Sequence, residues 1–223
     1  MKNVLITGAT SGLGRILAKE LNENYKVYCL GRNKTALDEL KNIGCETLQV
    51  DFANHESVWL ESVKNFCPHT DILINNAGTF PLVDIVNSTI KDYDDCFKVN
   101  VRAPFILMNL YMKKMISFKE GIILNVLSSS AYNGSKDTGI YCASKHALLG
   151  LSRSAFLECR GTGVRVCSVS PGSMQTPMGE TDKRQDFTTF IETEGVAEFI
   201  KHLIESNKSL VYDEVKINRS TVR

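Results

Sequence analysis

The chain predicts an α/β fold: a doubly wound, mostly parallel sheet of about seven strands, with helices on both faces. Two observations carry this reading. Short apolar runs recur near 2-6, 26-30, 46-50, 71-75, 121-127, 164-169 and 210-217, with amphipathic helical segments between most of them. Strands separated by helices pair in parallel, because a parallel pair needs a long crossover between its strands. The first run also leads straight into a glycine-bearing turn and then a helix, Val4-Leu5-Ile6-Thr7-Gly8-Ala9-Thr10-Ser11-Gly12-Leu13-Gly14.

In that opening unit Leu13, Ile16, Leu17 and Leu21 fall on one helical stripe. Gly8 permits a sharp exit from the strand, Gly12 lets a backbone approach a pyrophosphate, and Gly14 allows close helix packing. The helix N-terminus offers unpaired N–H groups to an anion. After the second strand comes Cys29-Leu30-Gly31-Arg32-Asn33, a stretch with no carboxylate. Arg32 is suited instead to charge-assisted hydrogen bonds with a 2′-phosphate. The competing reading makes it a solvated residue beside a helix N-cap at Asn33.

A long helix is expected over about 139-160, placing Tyr141 and Lys145 at i and i+4 on one face. A phenol ordinarily titrates near ~10, and an ammonium beside it favours the phenolate. Lys145 is therefore expected to lower the value of Tyr141. Upstream, Ser128, Ser129 and Ser130 are consecutive, and strand alternation lets two of them share a face.

Taken together, these marks resemble the short-chain dehydrogenase/reductase family, in its compact single-domain branch, over nearly the whole chain. Thr7-Gly8, Gly12 and Gly14 give the TGxxxGxG spacing of that branch. Asn75-Asn76-Ala77-Gly78 matches the NNAG element, and Asn100 matches the helix asparagine. Ser128, thirteen residues before Tyr141, matches the catalytic serine, and Pro171-Gly172-Ser173-Met174-Gln175-Thr176 matches the PGxxxT element. The resemblance implies one Rossmann domain over 1-223 carrying both cofactor and substrate sites. The catalytic set it implies is Tyr141, Lys145, Ser128 and Asn100. The cofactor residues are Gly8, Thr10, Ser11, Gly12, Leu13, Gly14, Arg32, Asp51, Phe52, Asn76, Ala77 and Gly78, with Tyr141, Lys145, Pro171, Gly172, Met174 and Thr176. NADP(H) is preferred, with NAD(H) possible.

The chemistry implied is hydride transfer between nicotinamide and a carbonyl/secondary alcohol pair. Tyr141 acts as general acid/base and Ser128 orients the reacting oxygen. Lys145 holds the nicotinamide ribose, and Asn100 positions a water that links Lys145 to solvent. Phe80, Ser130, Tyr132 and Met178 are the residues expected to touch the substrate. The polar segment Gly179 to Glu192 is either a mobile lid or an ordinary surface connection. The family's glycine-rich C-terminal ending is missing, which leaves the catalytic set intact. A homodimer through helices near 100-117 and 139-160, or a homotetramer, is implied by the resemblance. The alternative function is a non-catalytic dinucleotide-binding regulator or scaffold on the same fold; it has no need of the serine, tyrosine, lysine and asparagine set.

Composition narrows the partners. Lys and Arg number 26 against 25 Asp and Glu, so no global basic field recruits nucleic acid or an anionic membrane. A small-molecule carbonyl or alcohol is the expected partner. With neither a leader-like succession nor a membrane-length apolar run, the expected location is cytoplasmic. Cys29, Cys45, Cys67, Cys96, Cys142, Cys159 and Cys167 show no CxxC or zinc spacing and read as reduced packing residues. His55, His69, His146 and His202 form no ligand cluster, and no metal is expected.

Overall fold

The computed structural model describes residues 1–220. Seven strands form one sheet: β1 (Asn3–Thr7), β2 (Lys26–Gly31), β3 (Glu46–Gln49), β4 (Ile72–Asn75), β5 (Gly121–Val126), β6 (Val164–Pro171) and β7 (Glu214–Ile217). Their order is β3-β2-β1-β4-β5-β6-β7, and every pairing is parallel. Seven α-helices connect them: α1 (Gly12–Leu21), α2 (Lys34–Asn42), α3 (Glu56–Phe66), α4 (Ile90–Phe97), α5 (Ala103–Phe118), α6 (Gly139–Cys159) and α7 (Thr193–Glu205). A π-helical turn, Lys98–Arg102, joins α4 to α5. The doubly wound, Rossmann-like sheet expected from the alternation is present. Its last strand is shorter than the expected 210-217, because Leu210 to Asp213 run irregularly before pairing with β6 begins at Glu214.

Strand alternation sorts the core into two layers. On one face Val4 and Ile6 of β1, with Ile72 and Ile74 of β4, pack against Leu13, Leu17 and Leu21 of α1 and Val196, Ile200 and Leu203 of α7. On the other, Leu5 and Leu73 meet Val63 of α3, Leu107, Tyr111 and Met115 of α5, and Ala155 of α6. The central strands are apolar on both faces because helices cover both. Full burial of each such side chain contributes about 1.5–3 kcal/mol relative to exposure.

The chain reverses its direction of winding between β1 and β4, which opens a crevice beyond their carboxyl ends. Polar side chains hold that crevice in shape. Thr7 Oγ1 accepts from the backbone N–H groups of Asn76 (3.0 Å) and Ala77 (2.9 Å), and Asn76 Nδ2 donates to Thr7 O (3.0 Å) and Gly8 O (3.2 Å). Asn75 donates to Asn125 at 2.8 Å, and Asn125 in turn donates to Ser152 Oγ at 2.8 Å, linking β4, β5 and α6 through the buried layer.

Candidate active site

The glycine-bearing turn is a cradle that side chains would fill. Gly8 and Gly12 have φ of 67° and 48°, a region that L-residues rarely adopt. A Cβ on Gly8 would lie 2.8 Å from Ala77 Cα, and one on Gly14 would lie 2.4 Å from Gly8 O. Ser11 caps α1 without a side-chain hydrogen bond, which leaves the first N–H groups of the helix free of that partner. Gly8, Thr10, Ser11, Gly12 and Leu13 form one side of the groove above the turn.

Farther along this groove lie Arg32, Asp51 and Phe52 at one end, and Asn76, Ala77 and Gly78 in the middle. Tyr141, Lys145, Met174 and Thr176 close the other end. A glycine cradle at a helix N-terminus, in a groove whose lining runs on to Arg32 and to Tyr141, suits a dinucleotide. Gly14 packs beneath the turn and is not part of the lining, and Pro171 and Gly172 line an adjoining pocket instead. Thr79, Val99, Val126 and Leu127 also line the groove; they carry no motif that a sequence reading could seize on.

At the end of β2, a Cβ on Gly31 would sit 2.4 Å from Thr10 Cγ2. A carboxylate therefore has no place there unless Thr10 moves. Arg32 is exposed, and its guanidinium has no hydrogen-bond or ion-pair partner among the described residues. Asn33 caps α2 by accepting from Ala36 N at 3.1 Å, so the N-cap and a free Arg32 coexist.

Tyr141 lies in the first turn of α6, buried, with the Phe80 ring edge-on at a centroid distance of 4.8 Å. Burial pushes its phenol up to about 12, while a hydrogen bond to Ser128 acts in the opposite direction. This differs from the expectation that Lys145 lowers the value. The Lys145 ammonium lies 5.7 Å from the centre of the Tyr141 ring, and its Nζ donates to Val126 O at 2.9 Å. Buried beside β5, Lys145 is itself pushed down to about 8 by desolvation. Ser128 is the N-cap of the short turn Ser129–Ala131; its Oγ accepts from Ser130 N at 3.1 Å.

Asn100, fully buried in the π-turn, spends its amide on protein partners. Its Oδ1 accepts from Thr79 N (2.8 Å), and its Nδ2 donates to Thr79 O (3.0 Å) and Ser144 Oγ (3.0 Å). Its side chain thus ties the π-turn to the loop beyond β4 and to α6.

The adjoining pocket lies on the far side of Tyr141. Phe80, Ser130 and Met178 line it as expected from the sequence, together with Ser128 and Ser129. Tyr132 does not. Its hydroxyl donates to Glu214 Oε2 at 3.0 Å and its ring lies under Lys216, so it packs against the β7 edge instead. Asp182, Gln185 and Phe190, which the sequence reading had only as part of an irregular segment, form the outer wall. That segment is held down: Arg184 binds Asp182 and Asp137, and Phe190 is buried.

Known proteins resemble this chain in sequence and in fold. The family model for short chain dehydrogenases matches residues 2–186. The chain belongs to that family. An uncharacterized oxidoreductase of Staphylococcus saprophyticus is 32% identical over 192 residues, 81% of this chain and 82% of that protein. Among solved structures, a 4-hydroxyisoleucine dehydrogenase complexed with NADH superposes with a TM-score of 0.88 at 27% identity, covering 98% of each chain. A metagenomic short-chain oxidoreductase in complex with NADP gives 0.80 at 26% identity, covering 99% of this chain and 98% of its own. This short-chain dehydrogenase is thus an oxidoreductase of an NAD(P)-dependent class. Its seven cysteines are free and buried, no group of three or more potential metal ligands exists among the described residues, and no described helix is long and apolar enough to cross a membrane.

Proposed function

We propose that the protein transfers hydride between NADP(H) and a small carbonyl/secondary alcohol pair, with Tyr141 as general acid/base. The observation that carries this reading is the position of Tyr141. It lines both the dinucleotide-sized groove and the adjoining pocket, with Lys145 on the groove side and Ser128 on the pocket side. A proton can therefore pass at the junction where cofactor and substrate meet.

Bound in the groove, the dinucleotide supplies or accepts hydride at its nicotinamide ring. In reduction, Tyr141 holds its proton at neutral pH because burial disfavours the phenolate, and gives it to the oxygen that is gaining charge. Ser128 Oγ already accepts from a backbone N–H, so its own proton is available to that same oxygen. In oxidation the phenol oxygen takes the proton back. Lys145, fixed by Val126 O, keeps further N–H donors for the ribose hydroxyls.

NADP(H) rather than NAD(H) is favoured by the unpartnered Arg32 guanidinium and by the lack of room for a carboxylate at Gly31. Asp51 and Phe52 would flank the adenine end. Both sites lie on one domain spanning 1-223. A homodimer pairing α5 and α6 across subunits is consistent with the exposed Phe105 and Leu157 on those helices. Seven free cysteines suit a reducing, cytoplasmic setting.

The test is titration of the purified protein with NADPH and with NADH by fluorescence, followed by carbonyl compounds while nicotinamide absorbance is recorded. Tight NADPH binding with carbonyl-dependent oxidation is the expected result. Binding without turnover would favour the regulator reading, and no binding would overturn the cofactor site.

A further inference from the structure

We propose that the substrate is a small uncharged carbonyl compound bearing hydroxyl groups next to the carbonyl, of the hydroxyketone type, and that carboxylate-bearing analogues are disfavoured. This deepens, and rests on, the oxidoreductase reading above.

The pocket beyond Tyr141 has no counterion for an acid. Among the described residues no Lys, Arg or His lines it. The two nearby guanidinium groups are committed elsewhere. Arg184 donates from Nε (2.7 Å) and Nη2 (2.9 Å) to the Asp182 carboxylate and from Nη1 to Asp137 Oδ2 (2.8 Å) and Lys136 O (3.1 Å). Arg219 donates to Thr189 Oγ1 and to Gln185 Oε1, both at 3.1 Å, and lies over the Phe190 ring.

The wall carries charge of the opposite kind. Asp182 lines the pocket, almost fully buried, and its hydrogen bonds to Arg184 and Gln185 hold its carboxyl well below the usual carboxylate range. With Asp137 alongside, two carboxylates face one guanidinium in this network. A substrate carboxylate would be stripped of water beside the Asp182 carboxylate, with no uncommitted cation to pair it. An ammonium gains little either, because Asp182 Oδ1 is taken by Arg184 and Oδ2 by Arg184 and Gln185.

What the wall does offer is hydroxyl chemistry. Ser129, Ser130 and Ser135 line the pocket, and none of their hydroxyl groups enters a hydrogen bond among the described residues. Each can donate one hydrogen bond and accept others, the pattern that matches a substrate hydroxyl. A site built on such groups discriminates against analogues that lack the partner, because its own polar atoms are then left unpaired. Phe80 and Phe190 close the pocket with apolar rings, which suits a short carbon skeleton.

The test compares hydroxyacetone with pyruvate, which share a three-carbon skeleton and differ by hydroxymethyl against carboxylate, with hexanal as a nonpolar aldehyde, all with NADPH. The expected kcat/KM for hydroxyacetone exceeds that for pyruvate by about tenfold or more. Ser130→Ala lowers the hydroxyacetone value by about threefold or more. Asp182→Asn removes the wall charge and frees Arg184, so the hydroxyacetone-to-pyruvate ratio falls; should that variant not fold, the wild-type ratio still decides. Equal or faster turnover of pyruvate, or turnover of hexanal without hydroxyacetone, overturns this inference and leaves the oxidoreductase standing. No turnover of any of the three with NADPH bound overturns both.

Discussion

Asn100 Nδ2 donates to Ser144 Oγ at 3.0 Å, and the same hydroxyl donates to Tyr141 O at 2.7 Å. One buried hydroxyl thus joins the π-turn to the first turns of α6, which carries both Tyr141 and Lys145. Because Asn100 also holds both backbone polar groups of Thr79, the tie reaches the loop beyond β4 that lines the groove.

Ser144→Ala leaves the Asn100 amide short of a partner in a site that water does not reach. We expect a loss of about 1–3 kcal/mol in urea unfolding, followed through the buried Trp59. Unchanged stability would show that Cys96 Sγ, 3.4 Å from the same amide nitrogen, is a sufficient acceptor.

Tyr141→Phe keeps the ring, the edge contact with Phe80 and the groove wall, and removes only the hydroxyl that carries the proton. NADPH affinity should change little, while turnover falls by about 10²–10⁴. Steady-state rates alongside NADPH titration distinguish this from a binding defect; retained turnover would reject the assignment.

Arg32→Ala should weaken NADPH by the value of one or two charge-assisted hydrogen bonds, about 1.5–3 kcal/mol each, and leave NADH nearly unchanged. Equal loss for both cofactors would mean that Arg32 does not meet a 2′-phosphate.

In the cofactor-free protein the buried lysine gives stability a definite pH slope. Lys145 is pushed down to about 8, whereas the unfolded chain holds that proton to near 10.5. Between those values the unfolded state binds more protons, so the Lys145 contribution makes stability rise with pH, by roughly 3 kcal/mol at most. Tyr141 works in the other direction above pH 10, since the folded state keeps its proton up to about 12. Comparing wild type with Lys145→Met across pH 7.5 to 10 should show the rise only in the wild type; parallel curves would refute it.

Much of this was legible along the chain because it rests on local periodicity and glycine geometry. The seven apolar runs and the turn from Thr7 to Gly14 needed no knowledge of distant contacts. Tyr141 and Lys145 meet on one helical face by their spacing alone. The errors arose where burial and long-range packing decide. The spacing that places Lys145 near Tyr141 cannot show that Val126 O holds its ammonium, or that a desolvated phenol rises rather than falls. Tyr132 had the composition of a pocket residue, yet the pairing of β7 with β6 brings Glu214 to it. Asp182, Gln185 and Phe190 sit in an irregular stretch whose place is set by Arg184, Asp137 and Arg219, through contacts that span 47 and 34 positions and so are less local than any helical period.

The amino-acid sequence by itself determined the parallel doubly wound sheet, the dinucleotide cradle and the tyrosine–lysine pair, because each follows from short-range pattern and backbone freedom. Only the tertiary structure decided the protonation tendencies of that pair, the role of Asn100 as a tie and the hydroxyl-lined wall of the second pocket that holds no free cation, because desolvation and ion pairing depend on which distant segments are brought together.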